Sequence, residues 1–247
     1  DWIRTLVRIN KRFIIQRNAP IRQMVQILAR QSAYIHHTIC ERNQSIWIAQ
    51  REGRAKDSND RTQESLLKMF VLGQNDNFAN SIKKLHICPL TISYEYDACD
   101  FLKAKEFQQK RDDSNFKKSQ ADDMENMGVG INGFKGKIHF HFCGEISDKI
   151  SQITGNKNEQ CEQIAQLIDK NIHANYSIYE CNKIAYDLLL NTNKYAKEYS
   201  TEEKQKFEAF INNKIERIEL ESKDIDFLRT RILEMYANVL INYEKAH

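Results

Sequence analysis

Arginine is the side chain best shaped to grip a phosphate, because its planar fork offers paired N–H donors to two oxygens at once. In this chain Arg51, Arg54, Lys56 and Arg61 bracket Gly53 inside one polar stretch, "REGRAKDSNDR", with Glu52, Asp57 and Asp60 interleaved. A glycine there lets the backbone approach a ligand closely or take positive φ. The acids between the arginines offset their mutual repulsion. The chemistry such a set suits is the binding of an anionic, phosphate-bearing ligand. The same pattern also describes a solvated loop laced with local ion pairs, each worth little. A further arginine, Arg17, ends the short apolar run "FIIQ" and is a second candidate for the same anion.

Histidine is the usual general base near neutral pH. His36 and His37 fall inside a helical pattern, and Glu41 stands four residues beyond His37, the spacing of an exposed helix pair. His139 and His141 occupy positions i and i+2 of a strand pattern and so share one face. Two ligands do not make a metal site, and no third of suitable spacing follows, so no metal is expected. His86 and His173 adjoin buried patterns and read as structural. Serine-hydrolase, P-loop and dinucleotide-binding signatures are all missing. The acidic pairs at 112–113 and 122–123 read as solvated charge.

The elements that would position these residues alternate along the first part of the chain. "FIIQ", "SIWIA", "HICPLTISYEY" and "KGKIHFHFCGEI" read as strands, the last with Ile138, Phe140 and Phe142 alternating against its two histidines. Helical spacing marks the stretch from Pro20 through Glu41, and again "ESLLKMFVL" and "NFANSIKKL". Strands separated by helices predict an α/β fold, a mixed or mostly parallel sheet flanked by helices. The polar stretch then follows a strand and precedes a helix, which is where open α/β sheets place ligands. Beyond about residue 157 only helical patterns occur, with a capped start expected at Thr201. The organisation read from this is an α/β portion over 1–156 and a helical C-terminal portion over 157–247 that packs on it.

Composition narrows the function classes. The 247 residues can bury a sizeable core, and two prolines with eight glycines favour helix. A net charge of +3 is too small to argue for nucleic acid. Its distribution is uneven: Arg4, Arg8, Lys11, Arg12, Arg17, Arg22 and Arg30 face only Asp1 in the first thirty residues, a basic stretch that suits phosphates or an anionic membrane surface. The six cysteines are scattered without a Cys-x-x-Cys pair and read as reduced thiols of a cytoplasmic protein. No apolar run reaches the roughly 18 residues that span a bilayer, so any membrane relationship is expected to be peripheral, on the inner face of the cell membrane.

At the arginine-bearing loop the sequence resembles the glycerolipid acyltransferases, the glycerol-3-phosphate and 1-acylglycerol-3-phosphate acyltransferase family, in a bacterial branch. "RINKRFIIQRNAP" resembles the family block whose arginine contacts the substrate phosphate, which maps to Arg17. "IWIAQREGRAKD" resembles the next block, usually Phe-Pro-Glu-Gly-Thr-Arg-Ser, through Glu52, Gly53, Arg54 and Lys56. "ICPLTISYEYD" resembles the following apolar strand with its proline, here Pro89, and "GKIHFHFCGEI" the strand ending in Gly-Glu. The blocks stand in the family's order and cover roughly residues 1 to 190. Two departures stand out. The block "IWIAQREGRAKD" lacks the family's proline, with Arg51 beside Glu52 instead. The family's catalytic His-x-x-x-x-Asp occurs nowhere in the sequence. Since the chain opens in mid-pattern, "DWIRTLVRIN", that element is expected upstream of Asp1, leaving no catalytic residue in this chain.

The resemblance implies acyl transfer. The family's histidine takes a proton from a glycerol hydroxyl, the oxygen attacks the thioester carbonyl of acyl-CoA or acyl-carrier protein, and the C–S bond breaks to release the thiol. Arg17, Arg54, Lys56 and Arg61 would hold the phosphate of glycerol phosphate or a lysophospholipid so that the hydroxyl lies near that base. No cofactor is implied beyond the thioester co-substrate, and no nucleic-acid partner. The readings that compete with it are a non-enzymatic module binding anionic lipid or nucleic acid through the basic stretch, and an acyltransferase whose acceptor carries no phosphate.

Overall fold

The computed structural model of the chain describes residues 20–51 and 55–247. Helices dominate, and several start where a side chain satisfies N–H groups that the first turn leaves unpaired. Helix α1 (Ile21–His36) continues into a single π-helical turn, His37–Glu41. Short helices α2 (Glu64–Phe70) and α3 (Phe78–Lys83) follow, then strand β1 (Leu90–Tyr94). Helices α4 (Asp100–Asp112) and α5 (Gln120–Asn132) separate β1 from strand β2 (Ile138–Phe142). A turn of helix, α6 (Ser147–Ile150), leads to α7 (Lys157–Ala174) and α8 (Glu180–Leu190). Finally α9 (Thr201–Glu216) and the 22-residue α10 (Ile225–Ala246) complete the chain.

Reciprocal caps fix several of these starts. Asn156 accepts from the N–H groups of Asn158 and Glu159 while Glu159 accepts from the Asn156 N–H. Ser200 and Glu203 do the same for α9, so the cap is Ser200, one residue before the Thr201 expected from the sequence. Among the described residues no helix is long and apolar enough to cross a membrane.

The α/β expectation is corrected here. Among the described residues the only sheet is a pair of five-residue strands, β1 against β2, and the pairing is antiparallel, with Leu90 opposite Phe142 and Tyr94 opposite Ile138. The molecule is therefore mostly helical, not a parallel or mixed sheet with helical faces. The run "SIWIA" explains the error. It has the apolar, β-branched composition of a strand, but β1 bonds to β2, and residues 45–49 have no ladder partner and stay irregular. Trp47 is 74% exposed there, and Ile48 is exposed beside it. The run "FIIQ" lies outside the described residues. Propensity identifies a strand only when a second edge is available to bond it.

Two apolar cores hold the helices together. The first joins Ile35 of α1, Leu67 and Phe70 of α2, Phe78 and Ile82 of α3, Ile150 of α6, and Cys161, Ile164 and Ile168 of α7. The second joins Phe101 and Leu102 of α4, Ile184 of α8, Phe207 and Ile211 of α9, and Leu228, Ile232 and Met235 of α10. Neither core respects a line at residue 156, since α7 packs with the early helices and α4 with the late ones. Cys99, Cys143, Cys161 and Cys181 are buried and Cys40 and Cys88 exposed, and all six are unbridged, as their scatter suggested.

Candidate ligand-binding cleft

The polar stretch is tied at its base, where the Gln63 N–H donates to the Gln50 carbonyl at 2.9 Å. Inside it Asp57 folds back to accept from the Asn59 N–H, and Ser58 takes a left-handed conformation with φ 56°. Asx turns of this kind fix a loop locally. What fixes it globally comes from two distant helices. Asp169 of α7 accepts from both the N–H and the hydroxyl of Thr62, at 2.8 and 2.6 Å. His173, one turn further along α7, donates from Nε2 to the Asp60 carbonyl at 3.1 Å. From α10, Asn238 donates to the Asp57 carbonyl and Asn242 to the Asn59 side chain.

These pinning residues are themselves buried: Asp169, His173 and Asn242 all lie in the interior. Buried polar groups are costly unless paired, so three of them spent on one surface loop make that loop's position a specified part of the structure. Burial holds the His173 imidazole below its ordinary pKa, which keeps it neutral and able to donate as described. Asp60 is pushed upward by burial, against the pull of Lys103 and Arg51. The Tyr176 phenol is raised by burial and by the nearby Asp60 and Asp169.

The pinned loop forms one wall of a cleft of about 570 Å3. Ala55, Ser58 and Asp60 line it from the loop, and Met235, Tyr236 and Val239 from α10. The floor is Ile92 and Tyr94 of β1, and the opposite wall is Met127, Gly130 and Ile131 of α5. Lys103 and Lys135 bring positive charge to this apolar lining. Lys103 pairs with Asp97, while Lys135 donates to the Ile131 and Gly133 carbonyls that α5 leaves unpaired at its end. Behind the cleft lies a buried network. Tyr236 donates to Asp100 at 2.8 Å and accepts from the Asp97 N–H at 3.2 Å, and Lys214 pairs with Asp100 at 2.9 Å. Desolvation pushes the Asp100 carboxyl upward and Lys214 draws it back.

Gly133, just past the end of α5, sets how closely that helix end approaches the turn between β1 and α4. A Cβ built there would stand 2.6 Å from the Ala98 Cβ and 2.6 Å from the Val129 carbonyl oxygen, closer than atoms can come. Glycine is needed at this point for close approach and not for its backbone angles, which are ordinary at φ −70°.

The structure brings few of the sequence-selected residues together. Arg17, Glu52, Gly53 and Arg54 lie outside the described residues. Lys56 does not point into the cleft. It pairs with Glu106 of α4, a carboxylate only 3% exposed that also has Lys110 at 2.9 Å on Oε1. Lys118 sits 2.9 Å from Oε2, an ion-pair contact without hydrogen-bond alignment. Burial, helped by Lys110 and Lys118, brings the Lys56 pKa down to about 8. Arg61 is exposed and is not a cleft residue. Lys103 and Lys135 take the place near the cleft that was assigned to Lys56 and Arg61. The sequence carries no local signal for them, because they approach the loop only through the packing of α4 and α5.

The histidines divide as their spacing implied, with one exception. His37 bonds Glu41 at 2.7 Å on an exposed turn, and His173 is structural. His36 is buried and donates to the Phe70 carbonyl, closing the end of α2. His139 and His141 stack with ring centres 6.1 Å apart on one face of β2. His86, which also adjoins a buried pattern, is itself exposed and pairs with Glu145. Among the described residues no group of three or more His, Cys, Asp or Glu is placed to hold a metal ion. Comparison with family models, with curated proteins and with solved structures finds no match to the chain.

Proposed function

We propose that this chain holds the acceptor substrate of a glycerolipid acyltransferase, one that moves a fatty acyl chain from acyl-CoA or acyl-carrier protein to a hydroxyl of glycerol phosphate or a lysophospholipid. One observation carries the reading: the loop whose sequence resembles the family's substrate block is pinned by buried polar side chains as a wall of an amphipathic cleft. The cleft's volume of about 570 Å3 is in the range of small-molecule sites. Its apolar side suits an acyl chain, and Lys103 and Lys135 suit the phosphate that distinguishes a lysophospholipid from a neutral glyceride. No histidine lines the cleft among the described residues. On this reading the chain binds and orients the acceptor, and the base that deprotonates its hydroxyl comes from outside these residues. The protein would act in the cytoplasm at the inner face of the cell membrane, where acceptor and product reside.

The test is titration calorimetry with lysophosphatidate and with the monoacylglycerol of the same chain. The phosphate-bearing ligand should bind more tightly, and Lys103→Ala should weaken it about tenfold, the loss of one charge-assisted contact. Equal affinity for the two ligands would sink the phosphate assignment and favour an acceptor without phosphate.

A further inference from the structure

Strand β2 is built inside out. Its alternating pattern puts Ile138, Phe140 and Phe142 on one face and two histidines on the other, and the whole apolar set is exposed while His139 is half-buried and His141 exposed. Phe140 is 57% exposed and Phe142 76%. The register shows why. Directly opposite residues of an antiparallel pair share a face, and on β1 it is Thr91 and Ser93 that turn inward, Thr91 donating to the Ile172 carbonyl and Ser93 accepting from the Ser177 N–H. Pairing then forces His141 and His139 to that side and the phenylalanines to the other. Phe134, 72% exposed, and Ile131, 73% exposed, continue the apolar surface from the end of α5. The three phenylalanines alone offer about 400 Å2, taking ~200 Å2 for each ring. Patches of that size on a single chain mark contact surfaces.

The charge around the patch says what kind of contact. From Phe134 to Phe142 the chain carries Lys135 and Lys137 and no acid. Glu95, the acid nearest by register, gives its carboxylate to the Lys137 backbone N–H, and Glu145 beyond β2 is paired with His86. The acids of α5, Asp122, Asp123 and Glu125, sit at the opposite end of that helix from Ile131. Aromatic rings beside two lysines, with the one adjacent carboxylate, Glu95, held on a backbone N–H, match the surface of an anionic bilayer, whose headgroups meet the ammoniums while the rings enter the acyl boundary. The patch is also continuous with the cleft. Ile92 and Tyr94, on the floor of the cleft, lie on the same sheet face as Phe140 and Ile138, and Ile131 belongs to both surfaces.

We propose that the exposed face of the β1–β2 pair, with Phe134, Phe140, Phe142 and Lys137, docks the protein on an anionic lipid bilayer and opens the cleft toward it. This deepens the acyltransferase reading by naming the surface through which a membrane-borne acceptor enters. It is a different surface from the basic N-terminal stretch.

Co-sedimentation of the full chain with vesicles of phosphatidylcholine and phosphatidylglycerol, and of phosphatidylcholine alone, tests it. The chain should bind the mixed vesicles in preference. Phe140→Ser combined with Phe142→Ser should cut that binding at least tenfold, and Lys137→Glu about fivefold or more, since a surface lysine contributes about 1 kcal/mol. Both variants should keep the wild-type circular dichroism and unfolding midpoint, because the substituted side chains are exposed. Wild-type vesicle binding by the Phe140/Phe142 variant would overturn the proposal. So would a concentration-dependent dimer that the same variant abolishes while vesicles go unbound, for the face would then belong to a second copy of the chain. Titration with monomeric lysophosphatidate separates the two readings. Lost vesicle binding in the Phe140/Phe142 variant with wild-type lysophosphatidate affinity supports the docking face, and vesicle binding by a wild-type chain that takes up no lysophosphatidate supports the docking face while sinking the acceptor reading.

Discussion

The two walls of the cleft are made on opposite principles. On the loop wall every element is tied: Thr62 to Asp169, Asp60 to His173, Asp57 to Asn238, and Tyr236 to Asp100 with Lys214 behind it. On the α5 wall not one helical residue is buried, and Met127 and Ile131 face solvent. The first wall resists movement because each group that shifts leaves a buried partner unsatisfied. The second is held by fewer ties, the Cys99 thiol on the Asn126 carbonyl and partly buried apolar contact such as Val129. A binding site with one fixed and one yielding wall can hold a headgroup at a set position while admitting chains of different bulk.

Asp169→Ala should break this contrast most. It removes two hydrogen bonds at once and leaves Thr62 unsatisfied in the interior, for a loss of about 2–3 kcal/mol. Amide exchange of residues 55–62 should rise in the variant; unchanged protection would show that the loop is held by other means. Cutting back the opposite wall should do almost nothing to the fold. Met127→Ala combined with Ile131→Ala is expected to change stability by less than about 0.5 kcal/mol, the ordinary range for surface positions, while weakening lysolipid binding several-fold. A large drop in the unfolding midpoint would mean that α5 is no softer than the loop.

The smallest effect concerns Lys56, beneath the loop wall. Its folded pKa of about 8 lies below the value of 10.5 that it has when exposed. Between those two values the unfolded chain binds the extra proton, so this residue's contribution to stability rises with pH across that window and is unfavourable below it. Lys56→Met should therefore be slightly more stable than wild type at neutral pH, and the advantage should shrink as pH climbs from 8 toward 10.5. A constant difference in denaturation midpoint across that range would show that the lysine crowding around Glu106 is not felt.

How much of this was legible beforehand depends on the range of the interaction. The strands at Leu90–Tyr94 and Ile138–Phe142 are visible in the sequence, because alternation is local, but their antiparallel pairing is not, since α4 and α5 intervene. "SIWIA" misled because composition records a residue's fitness for a strand and not the presence of a neighbouring edge. Helices α4 and α5 went unnoticed among charged residues, and with them the approach of Lys103 and Lys135 to the loop. The loop itself stood out because its charge, glycine and amides sit together in a few residues. The residues that pin it, Asp169, His173, Asn238 and Asn242, are spread over two helices more than a hundred positions away. Nothing in their local pattern sets them apart from surface polar positions.

The contact between Gly133 and Ala98 gives the soft wall a dimension. Its consequence is one of spacing: a residue with no side chain acts as the gauge block that sets the end of α5 against the turn between β1 and α4. Adding one methyl group there would pry the helix end outward and shift one wall of the cleft while every charged residue stays in place.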